Sequence, residues 1–181
     1  RINVPGYMDK ILDICEKEEI DGVFSLIDPE LSMLAKERER FLAIGTTPIV
    51  SEYNLVETCF NKYRMYELFK SMNIPTAKCY LSMEEFYAAK ENGEIDYPVF
   101  VKPANLGSSI GISMVNDEKD LINAIDVASK YDYRIIVEKG VANSVEINCS
   151  AIMKDNEVLK VGFKFTEGII ISGDIKVEFS N

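Results

Sequence analysis

The stretch PVFVKPANLGSSIGIS, residues 98–113, decides how this chain is read. Val99, Phe100 and Val101 make a short apolar run that ends on Lys102, and Pro103 stops the strand. A polar loop then presents Gly107, Ser108 and Ser109, and Ile110 to Val115 reads as a returning strand. Lys102 interrupts what should be a buried strand, a costly place for a charge unless it meets a partner. A lysine held at a strand end can meet a phosphate as a point charge. Small loop residues let backbone N–H groups approach phosphate oxygens, and the serine hydroxyls add donors. The loop does not fit GxxxxGK[ST] and does not open a helix. It is predicted as a hairpin-borne flap that closes over a nucleotide and excludes water. Stripped of its context, a Gly-Ser-Ser run is a plain hairpin loop.

Upstream of this stretch, helix and strand alternate. Met8, Ile11, Leu12 and Cys15 share one face of a helix over 7–17. Residues 23–27 (VFSLI) read as a short buried strand. Asp28 is a candidate N-cap with Pro29 at the first helical position. The helix it starts is expected to run to about Ala43, with Leu31, Leu34, Ala35 and Leu42 inward, and to end at Gly45. A strand at 48–50 follows. Strands alternating with helices of this length imply a parallel sheet. A further helix from about Lys62 to Met72 carries Met65, Leu68, Phe69 and Met72 as its stripe. A strand at 78–81 follows it, and Ser82 and Glu85 are then spaced as a capping box.

Downstream, 117–130 reads as an amphipathic helix and 134–138 as a strand. Consecutive strands are then expected at 145–153, 158–165, 169–171 and 175–179, with Lys154-Asp155-Asn156 as a hairpin turn. The last quarter is therefore expected to be antiparallel.

Composition narrows the chemistry. The chain has 181 residues, a net charge of −10 and no histidine. An acidic protein gains nothing from counterion release on DNA or RNA, so no nucleic-acid partner is expected. Without histidine there is no Ser-His or Cys-His nucleophile pair and no His-ligated zinc. Cys15, Cys59, Cys79 and Cys149 form no CxxC pair and read as reduced, mostly buried small hydrophobes, which suggests a cytoplasmic location. No apolar run reaches the ~20 residues of a membrane span, so no membrane partner is expected.

VKPANLGSSIGIS is very similar to the phosphate-loop segment of D-alanine–D-alanine ligases, and so are Arg134-Ile-Ile-Val-Glu138-Lys139-Gly140-Val141 and Val145-Glu146-Ile-Asn148-Cys149. IDPELSMLAKERERFLAIG and NKYRMYELFKSMNIPT, within residues 7–80, resemble relatives of the carbamoyl-phosphate synthase large subunit. Both groups belong to the ATP-grasp superfamily. The resemblance implies an α/β (α+β) chain in two parts. Residues 1–57 would be a partial Rossmann-like pre-ATP-grasp domain. Residues 58–181 would be ATP-grasp nucleotide-binding lobes with antiparallel strands, incomplete at the C-terminal end.

It also implies roles. Lys62 and Lys102 match the two phosphate lysines, and Gly107, Ser108 and Ser109 the phosphate loop. Glu138, Lys139 and Val141 match the hinge that meets adenine, partly through backbone groups, with Val99, Val101 and Ile136 as apolar neighbours for the ring. Glu146 matches the acid that accepts ribose hydroxyls. The implied activity is an ATP-dependent carboxylate–amine (or bicarbonate–ammonia) ligase acting through an acyl phosphate, with ATP and Mg2+ as cofactors. Small carboxylate and amine substrates are the implied partners, and a homo-oligomer is compatible with it. No ExN magnesium motif follows Asn148; Asp174 and Glu178 lack the asparagine. No metal ligand is therefore assigned, and those ligands are expected outside this chain. Both ends look incomplete, so weak nucleotide binding and little turnover are expected of this segment alone. The alternative is a non-catalytic nucleotide-binding or regulatory module on the same fold. A purely structural interaction domain is a third reading.

Overall fold

The sequence builds two compact units, Arg1–Gly140 and Val141–Asn181, in the computed structural model, which describes residues 2, 4–141, 147–154, 157–165 and 170–172.

In the first unit, α1 (Tyr7–Lys17) buries Met8, Leu12 and Cys15, as its spacing predicts. They form a small core with Leu34 and Phe41. β1 (Gly22–Val23) pairs in parallel with β2 (Thr47–Pro48). The expected parallel arrangement is present, but the strand expected at 23–27 ends at Val23. Phe24, Leu26 and Ile27 are exposed, Leu26 at 90%. β2 offers β1 only two paired residues, so the apolar run has nothing to lie against. The helix expected over 28–43 is two helices, α2 (Asp28–Lys36) and α3 (Arg38–Ala43). They meet at Glu37, whose backbone leaves the helical range. That break turns Phe41 fully inward and leaves Leu42 exposed. Asp28 is not the side-chain cap: Ile27 occupies the N-cap position. Instead the buried Glu30 accepts hydrogen bonds from the hydroxyls of Tyr7 and Ser25, tying α1 to α2.

α4 (Tyr53–Phe60), not foreseen, is followed by α5 (Lys62–Ser71). The expected domain boundary at 57/58 falls inside α4. Asn61 caps α5, its Oδ1 accepting from the Arg64 N–H at 2.9 Å. None of α5 is fully buried: Met72, just beyond it, is exposed, and Tyr63 and Tyr66 do much of the packing.

The main sheet has the order β3-β6-β4-β5, formed by β3 (Cys79–Tyr80), β6 (Ile135–Lys139), β4 (Val99–Pro103) and β5 (Ser113–Val115). All three pairings are antiparallel. α6 (Met83–Glu91) starts at Ser82, whose Oγ accepts from the Glu85 N–H at 3.1 Å, the cap its spacing predicts. α7 (Glu118–Ser129) starts at Asp117 and places Leu121, Ala124 and Ala128 on its buried face. These two helices cover one face of the sheet. Phe86, Val99, Val101, Val115, Leu121 and Val137 form the core there. Burial of Phe86 or Leu121 contributes about 1.5–3 kcal/mol each.

The second unit contains β7 (Ile147–Lys154), β8 (Glu157–Phe165) and β9 (Ile170–Ser172) as an antiparallel sheet, with an irregularity between Ile152 and Met153. This is the antiparallel run the sequence implies. The turn residues Asp155 and Asn156, the strand expected at 175–179, and Glu146, Asp174 and Glu178 lie outside the described residues.

Candidate nucleotide-binding site

β4 and β5 form the expected hairpin, with Val99 opposite Val115 and Val101 opposite Ser113, but the returning strand expected from Ile110 begins only at Ser113, residues 108–111 forming a turn. β4 is not buried on both faces. Its residues alternate, with Val99, Val101 and Pro103 buried and Phe100 and Lys102 half-buried. Lys102 therefore does not interrupt a buried face; antiparallel neighbours leave one side of the strand open to charge. Val99 and Val101 belong to the helix-covered core. They stand on the opposite face from Lys102 and cannot flank a ring bound beside it. Ile136 lies directly across from Lys102 and packs with Cys79, Ala104, Tyr63 and Tyr66.

The charge of Lys102 has an internal partner. Its Nζ lies 3.0 Å from Glu138 Oε2 on the adjoining strand. Glu138 pairs directly with Phe100, so the ion pair is diagonal, within reach of two long side chains. The Lys102 ammonium also lies 5.3 Å from the centre of the Phe100 ring. Lys62, at the first turn of α5, donates from Nζ to the carbonyl oxygens of Pro103 and Leu106, at 3.1 and 2.5 Å. Burial lowers the Lys62 pKa first, and repulsion from the Lys102 ammonium lowers it further; Glu138 and Asp132 pull the other way. The two lysines thus come from separate elements to one loop, and Lys62 senses the charge of Lys102.

A network that the sequence reading missed holds the loop between them. The buried Asn61 donates from Nδ2 to Asn105 Oδ1 at 2.9 Å, and the two residues also form an isolated antiparallel bridge. The Lys62 N–H donates to the Ala104 carbonyl at 2.9 Å. Asp132 accepts from the backbone N–H of Asn105 at 2.9 Å and of Arg134 at 3.0 Å. Burial pushes its carboxyl pKa up, but these two N–H groups and Arg134 outweigh it and the pKa is lowered. An asparagine just before a helical run is a recognisable N-cap signal, so Asn61 was findable; Asn105 and Asp132 carried none.

Gly107 is half-buried, and a Cβ there would lie 2.8 Å from Asp28 Oδ2. Ser108 and Ser109 are exposed with φ of +57°, a backbone region costing about 1–2 kcal/mol per residue for anything but glycine. Lys139 ends β6, exposed, its N–H donating to the Lys78 carbonyl at 2.9 Å; the Gly140 N–H donates to Pro98 at 2.9 Å. Two of the hinge N–H groups are thus already engaged. Val141 is exposed, and the division between the two units falls at Gly140/Val141. Glu146 lies outside the described residues.

Two of the acids near the loop, Glu138 and Asp132, are already engaged and do not fit Mg2+. Glu138 is held by Lys102, and both Asp132 oxygens accept backbone N–H groups. Among the described residues no three of His, Cys, Asp and Glu cluster to hold a metal.

Not all cysteines are buried. Cys15 and Cys79 are, whereas Cys59 and Cys149 are exposed. Burial pushes the Cys79 thiol up to about 12, with Glu138 adding to the effect. In a labelling experiment on the native chain, Ellman's reagent is expected to modify Cys59 and Cys149 quickly. Cys15 and Cys79 should react only after unfolding. No described helix is long and apolar enough to cross a membrane.

A four-stranded antiparallel sheet with a loop-bearing hairpin is what an ATP-grasp protein is expected to show, and the similarity to known proteins places the chain among them. Residues 68–177 match the family model for the D-ala D-ala ligase C-terminus, and the chain belongs to that family. Residues 1–49 match the PylC-like N-terminal domain. A D-alanine--D-alanine ligase of a Thermoanaerobacter species is 38% identical over 103 residues, covering 54% of this chain and 28% of the relative. The D-alanine-D-alanine ligase of Helicobacter pylori shares the fold with a TM-score of 0.65 at 24% identity, over 85% of this chain and 47% of that one. The biotin carboxylase domain of the Hydrogenobacter thermophilus 2-oxoglutarate carboxylase, solved with MgADP and bicarbonate, shares it with a TM-score of 0.61 at 23% identity, over 77% of this chain and 32% of that one. The matched stretches span 28–42% of the length of the first curated relatives.

Proposed function

We propose that this chain supplies much of the nucleotide-binding part of an ATP-dependent carboxylate–amine ligase. A carboxylate oxygen attacks the γ-phosphorus, the bond to the ADP oxygen breaks and an acyl phosphate forms. An amine then attacks the acyl carbon, a C–N bond forms, phosphate leaves and the amine proton passes to solvent. No protein nucleophile is needed, which suits a chain without histidine. The observation that carries this reading is the convergence of Lys62 and Lys102 on the 103–109 loop. The Lys62 ammonium, destabilised by burial and by the Lys102 charge, would be relieved by a phosphate beside it. Membership of the D-ala D-ala ligase C-terminus family supports it. Lys62 and Lys102 would hold the phosphates, the loop would cover them, and Glu138, Lys139, Val141 and Glu146 would meet adenine and ribose. Mg2+ would neutralise charge at the γ-phosphate, with ligands other than the acids described above.

Millimolar MgATP is expected to raise the melting temperature of the chain, by mass action on the folded state. Lys62→Ala should abolish that shift. A melting temperature indifferent to MgATP would remove the nucleotide reading and leave an interaction domain.

A further inference from the structure

We propose that Tyr131 is a positioning residue of the 103–111 loop. Its ring clamps Gly111, and the segment 131–134 as a whole holds the loop in the conformation that offers Ser108 and Ser109 to a phosphate. The ligand rests on the nucleotide reading above; the clamp stands on contacts that all lie within the first unit.

One short segment, between α7 and β6, holds both ends of the loop. At the near end, the Ala104 N–H donates to the Arg134 carbonyl at 2.8 Å and the Asn105 N–H to Asp132 Oδ2 at 2.9 Å. The Asp132 side chain is only 7% exposed, so its bond is shielded from water. At the far end, Gly111 has no room for a side chain. A Cβ there would stand 2.7 Å from Tyr131 Cδ2 and 2.9 Å from Pro103 Cγ. The bare Gly111 Cα thus meets two rings, one from the start of the loop and one from the 131–134 segment. Its φ of +71° suits glycine.

Between these ends, Ser108 and Ser109 are both left-handed, and among the described residues no backbone carbonyl accepts from their N–H groups. Serine holds such a backbone only where its surroundings over-determine it, and the clamp at 104–105 and 111 supplies that constraint. Successive N–H groups in a turn of this kind form an anion-binding concavity. Tyr131 acts through Gly111 and not on the ligand. Its side chain sits in a residue 54% exposed and joins none of the apolar clusters among the described residues, so core packing does not account for an aromatic ring there.

The test compares the parent chain with Tyr131→Ala, Tyr131→Phe and Tyr133→Ala by limited thermolysin cleavage and by MgATP titration calorimetry. Tyr133, at 85% exposure, controls for loss of a neighbouring aromatic. Tyr131→Ala should speed cleavage at Leu106 or Ile110 about tenfold, because cleavage follows the population of the open loop, with the melting temperature unchanged. MgATP affinity should fall about tenfold, the loss expected if the freed loop keeps this conformation for about a tenth of the time. Tyr131→Phe keeps the ring that meets Gly111 and should match the parent in both measurements, as should Tyr133→Ala. Unchanged loop cleavage in Tyr131→Ala overturns the clamp, as does a Tyr131→Phe chain that behaves like Tyr131→Ala. Faster cleavage with a matching fall in melting temperature reports general destabilisation and overturns it too. Faster loop cleavage with unchanged MgATP affinity overturns the positioning role. If the parent chain binds no MgATP, the nucleotide reading falls, and loop cleavage alone decides the clamp.

Discussion

Lys102→Ala is expected to raise the dissociation constant for MgATP roughly thirtyfold, the equivalent of about 2 kcal/mol for one hydrogen bond to a charged group. The same substitution also strips Glu138 of its partner. Both side chains are largely shielded, at 17% and 27% exposure. Removing one member therefore leaves an uncompensated carboxylate beside Cys79 and Ile136, and the single variant loses stability as well as affinity. A double variant separates the two effects. Lys102→Met with Glu138→Gln replaces the pair by neutral groups of similar size and should restore the melting temperature. It should not restore MgATP affinity, measured by titration calorimetry. Recovery of both would show that the pair is only a structural tie. Affinity unchanged in Lys102→Ala would remove Lys102 from the nucleotide site.

Gly140→Ala is expected to cost about 2–3 kcal/mol of stability, the range for an overpacked contact with loss of a hydrogen bond. A Cβ at this position would stand 2.6 Å from the Pro98 carbonyl oxygen and 3.2 Å from its carbon. Both are backbone atoms, so no side chain can swing aside. The end of β6 must retreat from the start of β4, and the hydrogen bond from the Gly140 N–H to Pro98 goes with it. A thermal melt should show a fall of roughly 5–10 °C for a chain of this size. An unchanged melting temperature would mean that the strand end yields without loss.

Local signals carried much of the fold. α1, α6 and α7 were legible because each pairs a 3.6-residue apolar period with a clear start or stop. Ser82 caps as its spacing predicts, and Asp117, the first residue of the expected 117–130 helix, caps α7. The loop-bearing hairpin was legible because Lys102-Pro103 ends one strand abruptly. What escaped depended on partners distant in sequence. Residues 23–27 have the composition of a strand, yet only Val23 finds a neighbour in β2. The helix over 28–43 has an unbroken pattern, and its break at Glu37 serves the packing of Phe41. In the site, residue types pointed to Lys102 and the Gly-Ser loop, and the family resemblance to Lys62. The anchoring of that loop by Asn105 and Asp132 joins positions 27 apart, which no local pattern encodes.

The alternation along β4 has a consequence for how the sheet assembles. Sliding β4 by one position against β6 would turn Lys102 into the layer filled by Phe86 and Leu121 and push Val101 out to water. An ammonium without a counter-charge in that layer is prohibitive. The lysine therefore also acts as a proofreader of strand pairing: misaligned sheets are penalised by the same residue that the correctly aligned one pairs with Glu138.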